Sequence, residues 1–206
     1  MGASDAAWQR HRSGGGQELM YFPSGELLRV VTLGNELMAA DLVWLRGVQY
    51  YGEHRLGDKR FPWIGHIFDV ATRLDPRFVN AYLFGALVLA DGGEDVHQAI
   101  ALMKRGLAAN PDSHLLAFEI GFHYHVFLRD FERAASYYRR ALQMDGCPAF
   151  VKRFAAFTLD RSNRPGEALL LWQEIAAECD NPILQRLATE RMAEAISELE
   201  LQEVVD

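Results

Sequence analysis

The chain has little of what a cross-linked, membrane-spanning or polyanion-binding protein needs. Two cysteines, Cys147 and Cys179, stand in 206 residues, too few for a disulfide framework in a chain long enough to build a core without one. Reduced thiols are the expectation. No stretch approaches the roughly 20 apolar residues that cross a bilayer, since the richest, Leu37 to Tyr51, is broken by Asp41, Arg46 and Gln49. The opening 17 residues carry Arg10, His11, Arg12 and a Ser13 to Gly16 run. They read as a flexible segment without the apolar h-region of a signal peptide. A soluble, cytoplasmic chain is expected, the alternative being envelope association through a partner or a missing N-terminal anchor. Basic surplus is lacking too: 21 Lys plus Arg face 28 Asp plus Glu, a net charge of −7, which argues against general binding to nucleic acid phosphates. The acidity sits at the end, where Glu178 to Asp206 holds eight acids and two bases. The remainder is nearly neutral.

What the sequence does have is apolar residues at three- and four-residue spacing from Gly25 onward, with breaks at Gly or Pro and no long alternating pattern. That periodicity predicts an all-α chain. Four of the predicted helices superpose: Ile64-Phe68-Ala71-Pro76, Ala99-Met103-Gly106-Pro111, Ala134-Tyr138-Ala141-Gly146 and Ala168-Trp172-Ile175, stepping by 35, 35 and 34 residues. Each follows a helix with a small residue near its middle and a larger one a turn later: Gly47 with Tyr50, Ala86 with Leu89, Gly121 with Tyr124, Ala156 with Leu159. A small residue in each helix lets two antiparallel helices approach, and the large residue fills the space to the next pair. Asp75-Pro76 and Asn110-Pro111 end the second helix of their units, because the residue before proline disfavours helical geometry. A single hairpin cannot bury its own apolar face, so the units must stack.

In this spacing the chain resembles the tetratricopeptide repeat (TPR) family from about Asn35 to Cys179, best in the third and fourth units. More loosely, the stretch from Pro23-Ser24-Gly25 through Ala40 to Arg46 and Gln49 to His54 is similar to the opening of a little-characterised group of bacterial TPR proteins. The resemblance implies a right-handed α-solenoid of about four hairpins with caps. The expected organisation is a flexible segment at 1–17, an N-terminal capping segment at 18–34, hairpins over 35–180, and an acidic capping helix and tail at 181–206. The first unit departs from the pattern through a longer connection, Glu53 to Pro62. The final helix, Ile183 to about Leu201, is expected to cover the last hairpin with Leu184, Leu187, Met192, Ile196 and Leu199 while its glutamates face water.

The resemblance also implies a groove lined by the first helix of each unit. By alignment its positions are Asp41, Trp44, Val48 and Tyr51, then Asn80, Leu83, Leu87 and Asp91. Unit three gives Leu115, Phe118, Phe122 and His125, and unit four Phe150, Arg153, Phe157 and Arg161. The lysine and asparagine set with which some family members clamp an acidic C-terminus is missing. The expected partner is therefore a protein segment, an amphipathic helix or an extended apolar peptide. It would be anchored on Trp44, Tyr51, Leu83, Leu87, Phe118, Phe122, His125 and Phe157, with Arg153 and Arg161 orienting any acidic group. Two alternatives stand beside it. The groove is filled from within, by residues from Glu18 to Leu28 or the final helix, or it is buried permanently in a membrane-bound complex or a second copy.

Motifs for chemistry are scarce. Glu119 and His123 share a helix face, but three or four converging ligands are needed for a metal, and neither metal nor cofactor is expected. Cys147 lies between Gly146 and Pro148 without a CxxC partner, and Cys179 is flanked by Glu178 and Asp180, surroundings that raise a thiol pKa. Asp91-Gly92-Gly93-Glu94 lacks the strand and the Lys-Ser/Thr of a phosphate loop and reads as a turn. The pairs Lys104-Arg105, Arg139-Arg140 and Lys152-Arg153 read as solvated faces, and Tyr50-Tyr51 and Tyr137-Tyr138 as packing pairs. A non-catalytic interaction scaffold is the expected function.

Overall fold

The computed structural model describes residues 32, 34–57, 61–91 and 95–205. The segment expected to be flexible at 1–17, nearly all of the expected N-terminal cap, and the centres of two connections lie outside them. The described residues contain helix and turn but no strand. The helices are α1 (Glu36–Arg55), α2 (Ile64–Leu74), α3 (Val79–Ala90), α4 (Val96–Ala109), α5 (His114–Val126), α6 (Phe131–Leu142), α7 (Phe150–Arg161), α8 (Pro165–Glu178) and α9 (Pro182–Val205). The chain forms two compact units, Met1–Ala81 and Tyr82–Asp206, with the boundary inside α3.

In the first unit α1 packs on α2. The contact side of α1 is Ala40, Val43, Gly47 and Tyr50, all buried, and α2 buries Ile64, Ile67, Phe68, Val70, Ala71 and Leu74. Gly47 permits the approach: a β-carbon there would lie 3.0 Å from Ile67 Cγ2 and from Phe68 Cζ. The expected connection at 53–62 begins later than its sequence suggests, because α1 continues to Arg55. His54 extends it by bonding through Nδ1 to the Tyr50 carbonyl at 2.9 Å and packing its ring 4.1 Å from that of Tyr50. Pro76 acts as its position predicts, for α2 stops at Leu74 and Asp75 is extended at φ −126°, ψ 95°.

In the second unit each helix from α4 to α8 packs on the one that follows it. The residues that define the repeat are the interior. Ala99 and Met103, Ala134, Tyr138 and Ala141, and Ala168, Trp172 and Ile175 are all buried. Glycine again sets the spacing, since a β-carbon on Gly106 would lie 2.7 Å from the Tyr82 ring and one on Gly121 2.8 Å from the Tyr138 ring. The helix starts are written locally. Asp95, Ser113 and Asp130 accept hydrogen bonds from the backbone N–H groups of Gln98, Leu116 and Arg133, each cap contributing about 1 kcal/mol. Pro165 opens α8 and Asn181 caps α9 through the Ile183 N–H at 2.9 Å. The turns before α6 and α8 each place one residue in the left-handed region, Arg129 at φ 51° and Asn163 at φ 56°.

The last helix corrects its expectation in two ways. It runs on to Val205, and Ile196, expected on its inner side, is 44% exposed. The small residues Ala188 and Ala195 are buried instead, with Leu184 and Met192 packed against a cluster of Ala156, Leu159, Ala168, Trp172 and Ile175. Alanine lets the α9 backbone lie close to α8, where a branched side chain would hold it off.

Candidate protein-interaction face

The second unit joins α5 and α7 through phenylalanine. Phe118 and Phe122 stand one turn apart on α5, as do Phe150 and Phe154 on α7. Phe118 meets Phe150 and Phe154 edge-on, with ring centroids 5.2 and 5.3 Å away, and Phe122 lies 6.1 Å from Phe154. Tyr138 of α6 closes the cluster from below, 5.6 Å from Phe118 and 6.0 Å from Phe154. Edge-to-face pairs at these distances add about 0.5–1.5 kcal/mol each beyond their area burial. Phe118 is consequently an interior residue at 9% exposure, whereas Phe150 at 36% and Leu115 at 42% form the outer rim. On α3, Leu83 is half-buried and Leu87 is 59% exposed. Phe154 was missed by aligning groove positions. Its signal is the Phe150-Phe154-Phe157 spacing, which places three rings along one side of α7.

His125 ends this face in a fixed state. Thr158 donates its hydroxyl to the Phe154 carbonyl at 2.6 Å, so its oxygen accepts from His125 Nδ1–H at 2.7 Å. That leaves Nε2 as the unprotonated nitrogen. Burial first, then the nearby Arg161 charge, pushes the His125 pKa down. The Arg161 guanidinium lies over Phe131, 5.6 Å from its centroid, and His125 meets the same ring edge-on at 5.2 Å. Arg153 is exposed on α7.

Three further aligned positions are engaged locally. Phe157 packs edge-on against Trp172 at 4.8 Å and lies beneath the Arg191 guanidinium of α9 at 5.5 Å. In the first unit, Trp44 packs against Phe78 at 5.6 Å, and its Nε1 is buried with no hydrogen-bond partner among the described residues. Tyr51 is covered by Phe61 of the connection at 5.1 Å. Both residues are half-buried.

Away from this face the polar groups hold the unit together. Lys104 Nζ donates to the Tyr124 hydroxyl at 2.9 Å, and that hydrogen bond raises its pKa. Tyr124 stacks on Tyr137 at 5.8 Å, with the Arg133 guanidinium 5.6 Å from the Tyr124 ring. Lys152 pairs with Glu174 and Glu178, and Arg139 with Glu167. His123 is buried, with Nδ1 donating to the Glu119 carbonyl at 2.8 Å, and desolvation lowers its pKa while raising that of Glu119. Burial pushes the Cys147 thiol up, and both cysteines are free. Among the described residues no three His, Cys, Asp or Glu converge as metal ligands, and no helix is long and apolar enough to cross a membrane.

The sequence matches no protein-family model and no curated protein. Its fold does match solved structures. A crystal structure of the MamA protein, which has the tetratricopeptide fold, aligns with a TM-score of 0.51 at 14% identity, over 77% of this chain and 92% of that one. A second MamA crystal structure aligns with a TM-score of 0.45 at 14% identity, over 68% and 91% of the two chains. At that identity the first likeness establishes the fold, an all-α arrangement of TPR-like hairpins, and no more.

Proposed function

We propose that the chain is a non-catalytic scaffold that takes an amphipathic helix or extended apolar segment of a partner protein on the α3, α5 and α7 side of its second unit. One observation carries the reading: the apolar side chains of Leu87, Leu115 and Phe150 remain exposed at the aligned groove positions of α3, α5 and α7. Exposed apolar side chains gathered on a rigid helical support suit a partner that brings its own anchors at i, i+4 and i+7. Arg153 and Arg161 supply cations at the α7 edge for an acidic group flanking those anchors. The neutral His125 offers an acceptor at Nε2 for a partner N–H. TPR-like hairpins support the scaffold role through the fold alone.

Phe118 is too buried to serve as a direct anchor, so the test uses the rim. A displayed peptide library is selected against the wild-type chain and against Leu87→Glu/Phe150→Glu, with far-ultraviolet circular dichroism verifying that the variant keeps its helix content. The wild type should enrich peptides with apolar anchors at helical or alternating spacing, and the variant should lose them by tenfold or more. Equal enrichment on both proteins, or none on either, would sink this reading. A concentration-dependent mass in light scattering that the variant abolishes would instead favour a second copy as the occupant.

A further inference from the structure

The polar end of the α5 and α7 face brings an arginine and a histidine onto one aromatic ring. Arg161 is exposed at the last residue of α7, and among the described residues it forms no ion pair. Its guanidinium rests on Phe131, which the half-buried His125 meets edge-on from α5. The carboxylates that flank this place in the chain are committed elsewhere. Asp130 caps α6 and pairs with Arg133 at 3.2 Å, and Asp160 accepts from the Trp172 indole. From α6 the Tyr138 ring lies 6.4 Å from that of His125, and burial keeps its phenol neutral. Arg161 is the charge that acts on His125, adding to burial in pushing its pKa down.

The hydrogen bonds let His125 change charge without moving. Its Nδ1–H is spent on Thr158, whose own proton goes to the Phe154 carbonyl, so a proton taken from solvent adds at Nε2 and leaves that contact intact. An anion seated between His125 and Arg161 offsets the arginine and favours the charged ring, an effect of about 1–3 pKa units for opposite charges within about 4–6 Å. The C-terminal end of α5 favours the same charge, for His125 stands in its last turn. One guanidinium edge with one imidazole donor matches the two oxygens of a carboxylate.

We propose that Arg161 and His125 together bind a carboxylate of the partner segment, an Asp or Glu side chain or the segment's own C-terminus, and that His125 takes up one proton at Nε2 as the carboxylate binds. The inference rests on the scaffold reading and adds its regulation. Nε2 accepts in the empty site and donates in the filled one, so affinity rises as pH falls. Aspartate and glutamate stay ionised down to about pH 5, and the gain therefore falls between pH 7.5 and 5.5.

The first test needs no peptide. The His125 pKa is read from imidazole resonances of the full chain in sodium butyrate and in sodium chloride of equal ionic strength, with His125→Gln assigning the signal. Butyrate should raise that pKa by about half a unit or more and leave the buried His123 unmoved. In Arg161→Gln the His125 pKa should start higher, because the arginine charge is gone, and butyrate should no longer move it. Equal values in the two salts, or a butyrate effect that survives in Arg161→Gln, would overturn the proposal. The second test repeats the peptide selection at pH 5.5 and 7.5. The wild type should enrich Asp or Glu at a fixed distance from the apolar anchors, about fivefold more strongly at the lower pH, and Arg161→Gln and His125→Gln should lose the acid while keeping the anchors. Anchors without an acid preference would overturn the carboxylate site and leave the scaffold reading standing. Enrichment of nothing would sink the scaffold reading, and the butyrate titration would still decide the carboxylate site.

Discussion

Phe150 and Phe157 lie two turns apart on α7, and the sequence treats them alike. One remains 36% exposed on the rim, and the other is packed against Trp172 and covered by Arg191. What separates them is the element that follows. At the N-terminal end of α7 the rings of Phe118 and Phe154 support Phe150 from within. At the other end α9 lies on the α8 core and takes Phe157 into that packing. A repeat position therefore specifies which way a side chain points, while the next helix decides whether it is available.

The contrast is broken most completely at Trp172. It is 0% exposed, packs on Phe157 and donates its indole N–H to Asp160 at 3.2 Å. Trp172→Ala should destabilise the chain by about 3–5 kcal/mol, read as a shifted denaturation midpoint. Hydrogen exchange should localise the loss, with α8 and α9 amides deprotected well before those of α5 and α6. Uniform deprotection would mean that the open and closed ends form one cooperative block.

The next largest effect compares two glycines that occupy the same repeat position. At Gly121 a new β-carbon would lie 2.8 Å from the fully buried Tyr138 ring and 3.2 Å from the Ala134 carbonyl, neither free to swing away. At Gly47 it would meet the tips of Ile67 and Phe68 at 3.0 Å. Overpacking costs about 1–3 kcal/mol, and replacing glycine by alanine within a helix returns about 1 kcal/mol. Gly121→Ala should lose about 1–2 kcal/mol net and disturb the ring cluster, whereas Gly47→Ala should be near neutral. Urea midpoints for the two variants test this, and equal losses would show that the position and not its neighbour sets the tolerance.

Much of this interior was legible in the sequence because it is a matter of spacing. Gly47, Gly106, Gly121, Met103, Tyr138 and Trp172 fall where a 34- or 35-residue period puts buried residues, and the structure buries each of them. Coverage was not legible, since it depends on contacts distant along the chain. Phe61 over Tyr51, Phe78 beside Trp44 and Arg191 above Phe157 come from a connection, a turn and the last helix, none of which the repeat pattern describes. Phe154 was passed over for a related reason: it lies between aligned groove positions, yet its ring touches Phe118, Phe122 and Tyr138. Ala188 and Ala195 displaced Ile196 because close helix approach rewards small residues, a preference that hydrophobicity alone does not rank.

The smallest effect sharpens the comparison at the α5–α7 junction, where His125 holds Thr158. In the folded chain the pKa values of His125 and His123 are both pushed below the ordinary histidine value of 6.5, chiefly by burial. The unfolded chain then binds more protons than the folded one in the window below 6.5. Stability is fully present above that pH and is lost as pH falls toward the folded values. Acidification from pH 7.5 to 5.5 should accordingly lower the urea midpoint, while Glu119, whose pKa burial raises, acts with the opposite sign where it takes up its proton. His125→Gln keeps a donor for the Thr158 oxygen and removes the titration, so its midpoint should fall less over the same range. His123→Gln should also flatten the profile, with the two changes nearly additive because the histidines bond to different helices, His123 within α5 and His125 to α7. An unchanged slope in the His125 variant would mean that the Thr158 contact holds as well with a charged ring as with a neutral one, and that the junction between α5 and α7 carries no pH dependence of its own.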